Sequence, residues 1–411
     1  DSLSAHVTDV EDRIKVMDML ARFSGSLSAQ STLNAISDGI SYEKMSKERL
    51  QTYLNGLVKA GNHDRTQPVL DKALALYPQD PYIHQLAFTH YNNKHDYDNA
   101  ALWANKYFSE VPADSLGYND YRMYAACLNA KGDFKGAIEN LWKAYNTAEK
   151  KYNQREAFLL NGHIAKDMRT YTKEQATKIL DSDGLDKSLE SFRFESNDFL
   201  AHNNEYQSDM AIDDMVEFVK DYAERIDTTG SAANKEKKAL AYIKAKDIYK
   251  ETEIKETDPV EKNKRFFLQW LMVRNAVNVD RQNYPAKFDL LSYTNELFNR
   301  GLAMDEPVDN YLYNPLVDLQ VFYDSPEQIP VYAQRIKEKF PDYDNPNIDK
   351  LMQGVPRALA AKYSRAARAA GMTYREYLAA NNLKHPLDEE NSEDISAAQT
   401  TTTSTKTTKA K

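Results

Sequence analysis

Apolar positions recur along this chain at steps of three and four residues, the spacing that puts side chains on one face of an α-helix. Residues 8–24 open with Thr8 and Glu11 at capping-box spacing and continue with Val10, Ile14, Met17, Leu20 and Phe23. They predict a first amphipathic helix. Residues 25–46 are richer in Ser, Gly, Asn and Asp and predict a connection with one short helix around Leu33 to Ile36.

From residue 47 an internal repeat governs the pattern. Gly61-Asn62-His63, His95-Asp96-Tyr97 and Gly132-Asp133-Phe134 are short polar breaks between helical segments, at steps of 34 and 37 residues. Thr66, Ala100 and Ala137 follow at one fixed offset, then Ala73, Tyr107 and Ala144 at a second. Pro78 and Pro112 close the first two copies, and Glu149 stands where a third proline would fall. Each break ends one helix, the small residues let a second pack closely, and the proline stops that second helix because it lacks an N–H and clashes with the preceding turn. Asp80-Pro81 then reads as an N-cap followed by a first-turn proline.

A period of 34 residues built of two helices, a tight turn, small packing residues and a terminal proline resembles the tetratricopeptide repeat (TPR) over residues 47–148. Gly132-Asp133-Phe134-Lys135-Gly136-Ala137 is the most family-like stretch. Leu54 and Phe88 depart from the small residue usual in the family's first helix; Ala125 conforms. The resemblance implies that first helices line a concave face that takes extended peptides, and it makes Gln51, Asn55, Tyr82, Gln85, Asn92, Arg122 and Asn129 the groove candidates. Members that clamp a terminal carboxylate use Lys and Arg there. Gln51 and Gln85 are neutral, whereas Asn55 and Arg122 suit that role.

Helical pairing continues after the strict motif fades. Residues 155–168 and 173–181 predict a pair, the second opened by Thr172 and Gln175. Residues 183–206, with Asp183-Gly184 and the polar run Glu195-Ser196-Asn197-Asp198, predict an irregular connection. Helices are expected near 209–226, 234–253, 260–279 and 285–302, and Asp258-Pro259 with Glu261 is a start signal. Ser325-Pro326 with Gln328 repeats it, and Tyr311 to Asp342 has the outline of a degenerate repeat. Further helices are expected at 347–370 and, from Thr373 and Glu376, to about Asn381. The chain therefore divides into an N-terminal helix and linker (1–46), a TPR array (47–182), the connection (183–206), a divergent helical-repeat region (207–385) and a tail (386–411). The tail runs from acidic residues Asp388 to Asp394 into a Thr/Ser/Lys stretch and is expected to be disordered. The fold class expected is all-α, an α-solenoid of antiparallel helical hairpins.

Composition agrees with a helical stack. Only 13 of 411 residues are Gly, which disfavours all-β folds and Gly-rich phosphate-binding loops, while 27 Tyr and 15 Phe supply core. The balance of 53 Lys+Arg against 62 Asp+Glu, a net charge of −9, argues against a nucleic-acid-coating surface. No apolar stretch is long enough for a membrane span; Phe266 to Val277 comes nearest and is broken by Gln269 and Arg274. Cys127, the one cysteine, excludes an intrachain disulfide and reads as a buried thiol.

Catalytic and phosphate-binding motifs are absent, and an enzyme is not expected. His84, His90 and His95 cluster in sequence but point apart or lie far along the helix axis, so neither a metal nor another cofactor is expected. Asp181-Ser182-Asp183-Gly184 is similar to a calcium loop but its glycine comes too early, and it reads as a solvated turn. Arg357, Arg368 and Arg375 share one helix face with Arg365 and Lys362 on its flank and Leu359, Tyr363, Ala366 and Ala370 opposite. That basic stripe suits an acidic partner. The expected function is a non-enzymatic scaffold binding a partner protein or peptide, with nucleic acid disfavoured. The alternative is an exported glycan-binding or envelope-assembly protein, because the Tyr-rich, acidic composition resembles repeat proteins of the surface and periplasm of gut Bacteroidetes. The chain begins at Asp1 rather than at methionine, which a signal peptidase or another removal of an upstream segment would explain alike. The compositional resemblance leans the expectation towards export to the periplasm or cell envelope, with the cytoplasm left open.

Overall fold

The computed structural model describes residues 9–23 and 26–388, and among them the regular structure is helical throughout. Among the described residues the fold is all-α, built of paired helical hairpins. The chain separates into two compact units, Asp1–Asp214 and Met215–Lys411.

In the first unit α1 (Val10–Ala21) and α2 (Leu27–Ser37) pack on α3 (Lys47–Ala60). The hairpin of α3 with α4 (His63–Leu76) is followed by that of α5 (Pro81–Asn93) with α6 (Tyr97–Glu110) and that of α7 (Tyr118–Ala130) with α8 (Phe134–Lys151). The three turns share one geometry. Gly61, His95 and Gly132 have φ of 68°, 58° and 87°. The residue after each, Asn62, Asp96 and Asp133, caps the next helix by accepting the backbone N–H three positions on, at 3.2, 3.3 and 2.9 Å. A left-handed residue closes the first helix and an Asn or Asp satisfies an orphan donor of the second, so alignment by sequence and alignment by turn coincide. Thr66, Ala73, Ala100, Ala137 and Ala144 are all fully buried, as the repeat requires. Phe88 packs in one cluster with Ala100, Ala104 and Cys127.

Several boundaries differ from the sequence expectation. Thr8 lies outside the described residues, and Asp9 is the observed cap, its carboxylate accepting from the N–H of Glu11 at 2.8 Å. The short helix near Leu33 to Ile36 extends over the whole of α2. The expected pair at 155–168 and 173–181 is a single helix, α9 (Gln154–Asp183). Thr172 and Gln175 cannot stop it, because Ile164, Ala165, Met168, Thr172 and Ala176 form one continuous buried stripe. The region 183–206 is not an irregular connection. Gly184, at φ 88°, turns the chain into α10 (Leu185–Ala201). The polar run looks like loop in sequence because this helix buries a polar face, with Ser188, Ser191, Glu195 and Ser196 all buried and Ser196 hydrogen-bonded to Ser208 at 2.7 Å. Asn203 (φ 57°) and Asn204, which accepts from Gln207 N–H at 3.2 Å, repeat the turn device before α11 (Glu205–Arg225).

In the second unit α12 (Ala232–Lys255) packs along α13 (Pro259–Asn278), which starts at the expected Asp258-Pro259 signal. The helix expected at 285–302 is two, α14 (Tyr284–Lys287) and α15 (Leu290–Ala303), because Asp289 adopts φ 50°. Then come α16 (Asp309–Val321), a 3₁₀ turn at Pro326–Gln328, α17 (Ile329–Lys339), α18 (Pro346–Ala369) and α19 (Tyr374–Ala380). Thr373 and Glu376 form the expected capping box. Phe298, Leu312, Leu316, Ile329, Ile336 and Val355 make the core of this part, each fully buried large side chain contributing roughly 1.5–3 kcal/mol. The face of α18 opposite the arginines is buried through Ile348, Val355 and Ala367, whereas Ala370 is exposed. The acidic and Thr/Ser/Lys segments after Asp388 lie outside the described residues.

Candidate interaction surface

Gln51 and Asn55 lie on α3, Tyr82, Gln85 and Asn92 on α5, and Arg122 and Asn129 on α7. Five of these seven groove candidates bond to the next first helix. Gln51 Nε2 donates to Asp80 Oδ2 at 2.9 Å, and Asp80, the N-cap of α5, also receives Lys47 Nζ at 2.6 Å. Burial acts to raise the Asp80 pKa, but the Lys47 ammonium and the N–H groups of Ile83 and Tyr82 outweigh it and hold the carboxyl below its usual range. Gln85 Nε2 donates to Asp120 Oδ1 at 2.7 Å, while Asp120 Oδ2 accepts the Gly117 N–H at 2.7 Å. The Cys127 thiol donates to Asn92 Oδ1 at 3.4 Å.

From α7 onward the rungs become ionic. Arg122 binds Asp167 of α9 through Nε at 2.5 Å and Nη2 at 3.0 Å, and Asn129 Nδ2 donates to Glu174 at 2.7 Å. Arg169 of α9 repeats the two-point contact to Asp214, at 2.5 and 3.0 Å. Hydrogen bonding to the Asp167 and Asp214 carboxylates raises the pKa of both guanidinium groups. The first helices α3, α5, α7, α9 and α11 are thus tied in series by side chains. Asn55 and Tyr82 stand apart from this ladder: neither makes a side-chain hydrogen bond or ion pair among the described residues, and Tyr82 is 39% exposed.

The second unit contains a related tie. Asp318, fully buried on α16, accepts from Arg274 Nε at 2.8 Å and Trp270 Nε1 at 2.8 Å, both of α13, and from Thr294 of α15 at 2.9 Å. Burial raises its carboxyl pKa despite these donors. On the basic stripe Arg365 pairs with Asp324 and Lys362 with Glu327, each at 2.7 Å. Arg357 and Arg368, on α18, and Arg375, on α19, are exposed and have no ion-pair partner among the described residues. The left-handed Gly371 ends α18 before Arg375, so the three do not share one helix face as expected.

The remaining titratable residues have structural surroundings. His84 Nδ1 meets Glu110 at 2.6 Å, Nε2 meets the Pro78 carbonyl at 3.0 Å, and the ring stacks on Trp103. His90 is buried against Gln67, and His95 bonds Tyr97. Burial pushes the Cys127 thiol up to about 12, out of the reactive range. Asp181 and Asp183 belong to the last turn of α9 rather than to a calcium loop. Among the described residues no three His, Cys, Asp or Glu side chains gather as metal ligands, and no helix is long and apolar enough to cross a membrane.

Sequence spacing does not single out a polar cleft of about 390 Å³ in the second unit, lined by Glu224, Thr228, Lys238, Tyr242, Asn275 and Asn278. Its residues come from three helices and a turn, and no motif announces them.

No family profile matches the chain, and no curated protein resembles it in sequence. Among solved structures it is similar to the apo form of RapI, with 12% identity, 96% of this chain and 98% of that chain covered, and a TM-score of 0.34. The C-terminal part of a TPR repeat-containing protein from Cytophaga hutchinsonii has 15% identity over 73% of this chain and 98% of its own, with a TM-score of 0.28. A monomeric mutant of IFIT1 with m7Gppp-AAAA has 14% identity over 86% of this chain and 73% of its own, with a TM-score of 0.24.

Proposed function

We propose that the protein is a non-enzymatic scaffold whose residues 47–148 are a TPR array that holds a partner protein or peptide against its first helices. The observation that carries this reading is the division of labour on those helices. Five polar side chains link neighbouring helices and so fix the spacing of the face, while Asn55 and Tyr82 keep their polar groups free for a ligand. An amide reads the N–H and C=O of an extended peptide, and a half-exposed tyrosine adds apolar area with a polar tip. Arg357, Arg368 and Arg375 form a second contact for an acidic segment.

The test is partner capture by the full chain, with Asn55→Ala and Tyr82→Ala compared against Arg122→Ala. Loss of capture in the first two with retained helicity supports the groove. Unchanged capture removes it. Charge reversal at Arg357 and Arg368 reports on the stripe, and its effect on capture is expected to fade as salt rises.

A further inference from the structure

We propose that the cleft formed by the last turn of α11, α12 and α13 binds a small zwitterion the size of an amino acid or a dipeptide. Two opposite charges face one space. Glu224 enters from α11 and Lys238 from α12, yet they do not pair with each other, and neither has another ion-pair partner among the described residues. Lys238 is half-buried. A ligand carboxylate would supply the counter-charge that the Lys238 ammonium lacks.

The other lining groups narrow the ligand class. Asn275, on α13, makes no side-chain hydrogen bond among the described residues. Asn278 accepts from Arg281 at 3.0 Å through its oxygen, which leaves its Nδ2 donors for the cleft. Thr228 adds a hydroxyl from the turn. Tyr242 lines the same cleft as Glu224, and its phenol is pushed up by burial and by the Glu224 charge.

Competing chemistries fit less well. A phosphate or other dianion would meet Glu224, and a divalent cation would find one carboxylate beside an ammonium. A sugar ring would need an exposed aromatic platform, and the Tyr242 ring is 8% exposed. A zwitterion answers both charges, its carboxylate on Lys238 and its ammonium on Glu224, with the amides and the hydroxyl left for its polar side chain or peptide bond. The volume, about 390 Å³, lies at the small end of ligand sites.

The test is calorimetric titration of the full chain at neutral pH with L-glutamine and with glycylglycine, and with N-acetylglycinamide, sodium acetate, inorganic phosphate and glucose as comparisons. Saturable heat from glutamine, from glycylglycine or from both is expected, and the stronger of the two identifies the natural size. Lys238→Met and Glu224→Gln are each expected to weaken binding by about tenfold or more, the loss of one charge-assisted contact. Thermal melts of the unliganded variants check that each is folded. If a variant is not, stabilisation of the unaltered chain by the two zwitterions, but not by the uncharged amide, carries the same decision. Four results would overturn the proposal: equal binding of N-acetylglycinamide, binding of glucose, phosphate or acetate in place of the zwitterions, unchanged affinity in folded variants, or no zwitterion binding up to about 10 mM. Partner capture through Asn55 and Tyr82 uses residues of the other unit, so either idea can fail alone.

Discussion

At the scale of single residues, two buried titratable groups set opposite pH dependences. Burial first, and then the Asp214 charge, push Glu195 up to about 8 from 4.5, against smaller opposing effects of the Thr172 hydroxyl and the Arg169 guanidinium. Between those values the folded chain holds a proton that the unfolded chain has lost. Stability therefore falls as pH rises through this window and is lowest above it. Glu195→Gln is expected to stabilise the protein by roughly 2–5 kcal/mol above the upper value, with the gain vanishing towards the lower one. Urea denaturation across pH measures it, and a pH-independent effect would sink the assignment. His90 behaves in the opposite sense. Burial, reinforced by His63 and Lys94, lowers it from 6.5 to about 4, so stability is lost as pH falls between those values. A His90→Gln variant is expected to lose that acid-side slope in the same experiment.

At the scale of elements, the hairpin turn and the helix-to-helix ladder differ in how they can be read. The turns are local. A left-handed residue followed by an Asn or Asp cap specifies them within four positions, so Gly61, His95 and Gly132 align on spacing and residue type alone. Gly132→Ala is expected to cost about 1 kcal/mol, and His95→Gly to be neutral or stabilising, since a side chain at positive φ is strained. Thermal melts decide the signs. The ladder joins residues 29 to 45 positions apart, and any Gln or Arg has many acids at such distances. A double-mutant cycle on Arg122 and Asp167 is expected to give a coupling of about 1–2 kcal/mol, a partly exposed two-point pair being stronger than a simple surface pair. Asp318→Ala should cost more, about 3–5 kcal/mol, because it leaves Arg274 and the Trp270 N–H without their buried acceptor.

At the scale of the whole molecule, the chain divides into two compact units. The hydrophobic clusters that include Met17, Phe88 and Phe199 lie within the first unit, and the one that includes Phe298 and Val355 lies within the second. A chain ending after Arg225, which keeps α11 whole, is expected to retain helical circular dichroism and a cooperative melt. In stacked repeats each hairpin depends on its neighbours rather than on distant parts. A fragment that fails to melt cooperatively would show that the first unit needs the second to fold.

The sequence alone determined the helical class, the three hairpins of residues 47–148 and the helix starts at Asp80, Asp258 and Thr373, because each rests on spacings within one or two turns. Tertiary structure decided the rest. It made one helix of residues 154–183, where a buried stripe overrode a capping signal, and it turned the polar run at Glu195 into a buried face. It also separated the groove candidates into those that tie helices together and the two left free. A side chain's job depends on what the fold places opposite it, and for Gln51, Gln85 and Arg122 that partner comes from a later hairpin.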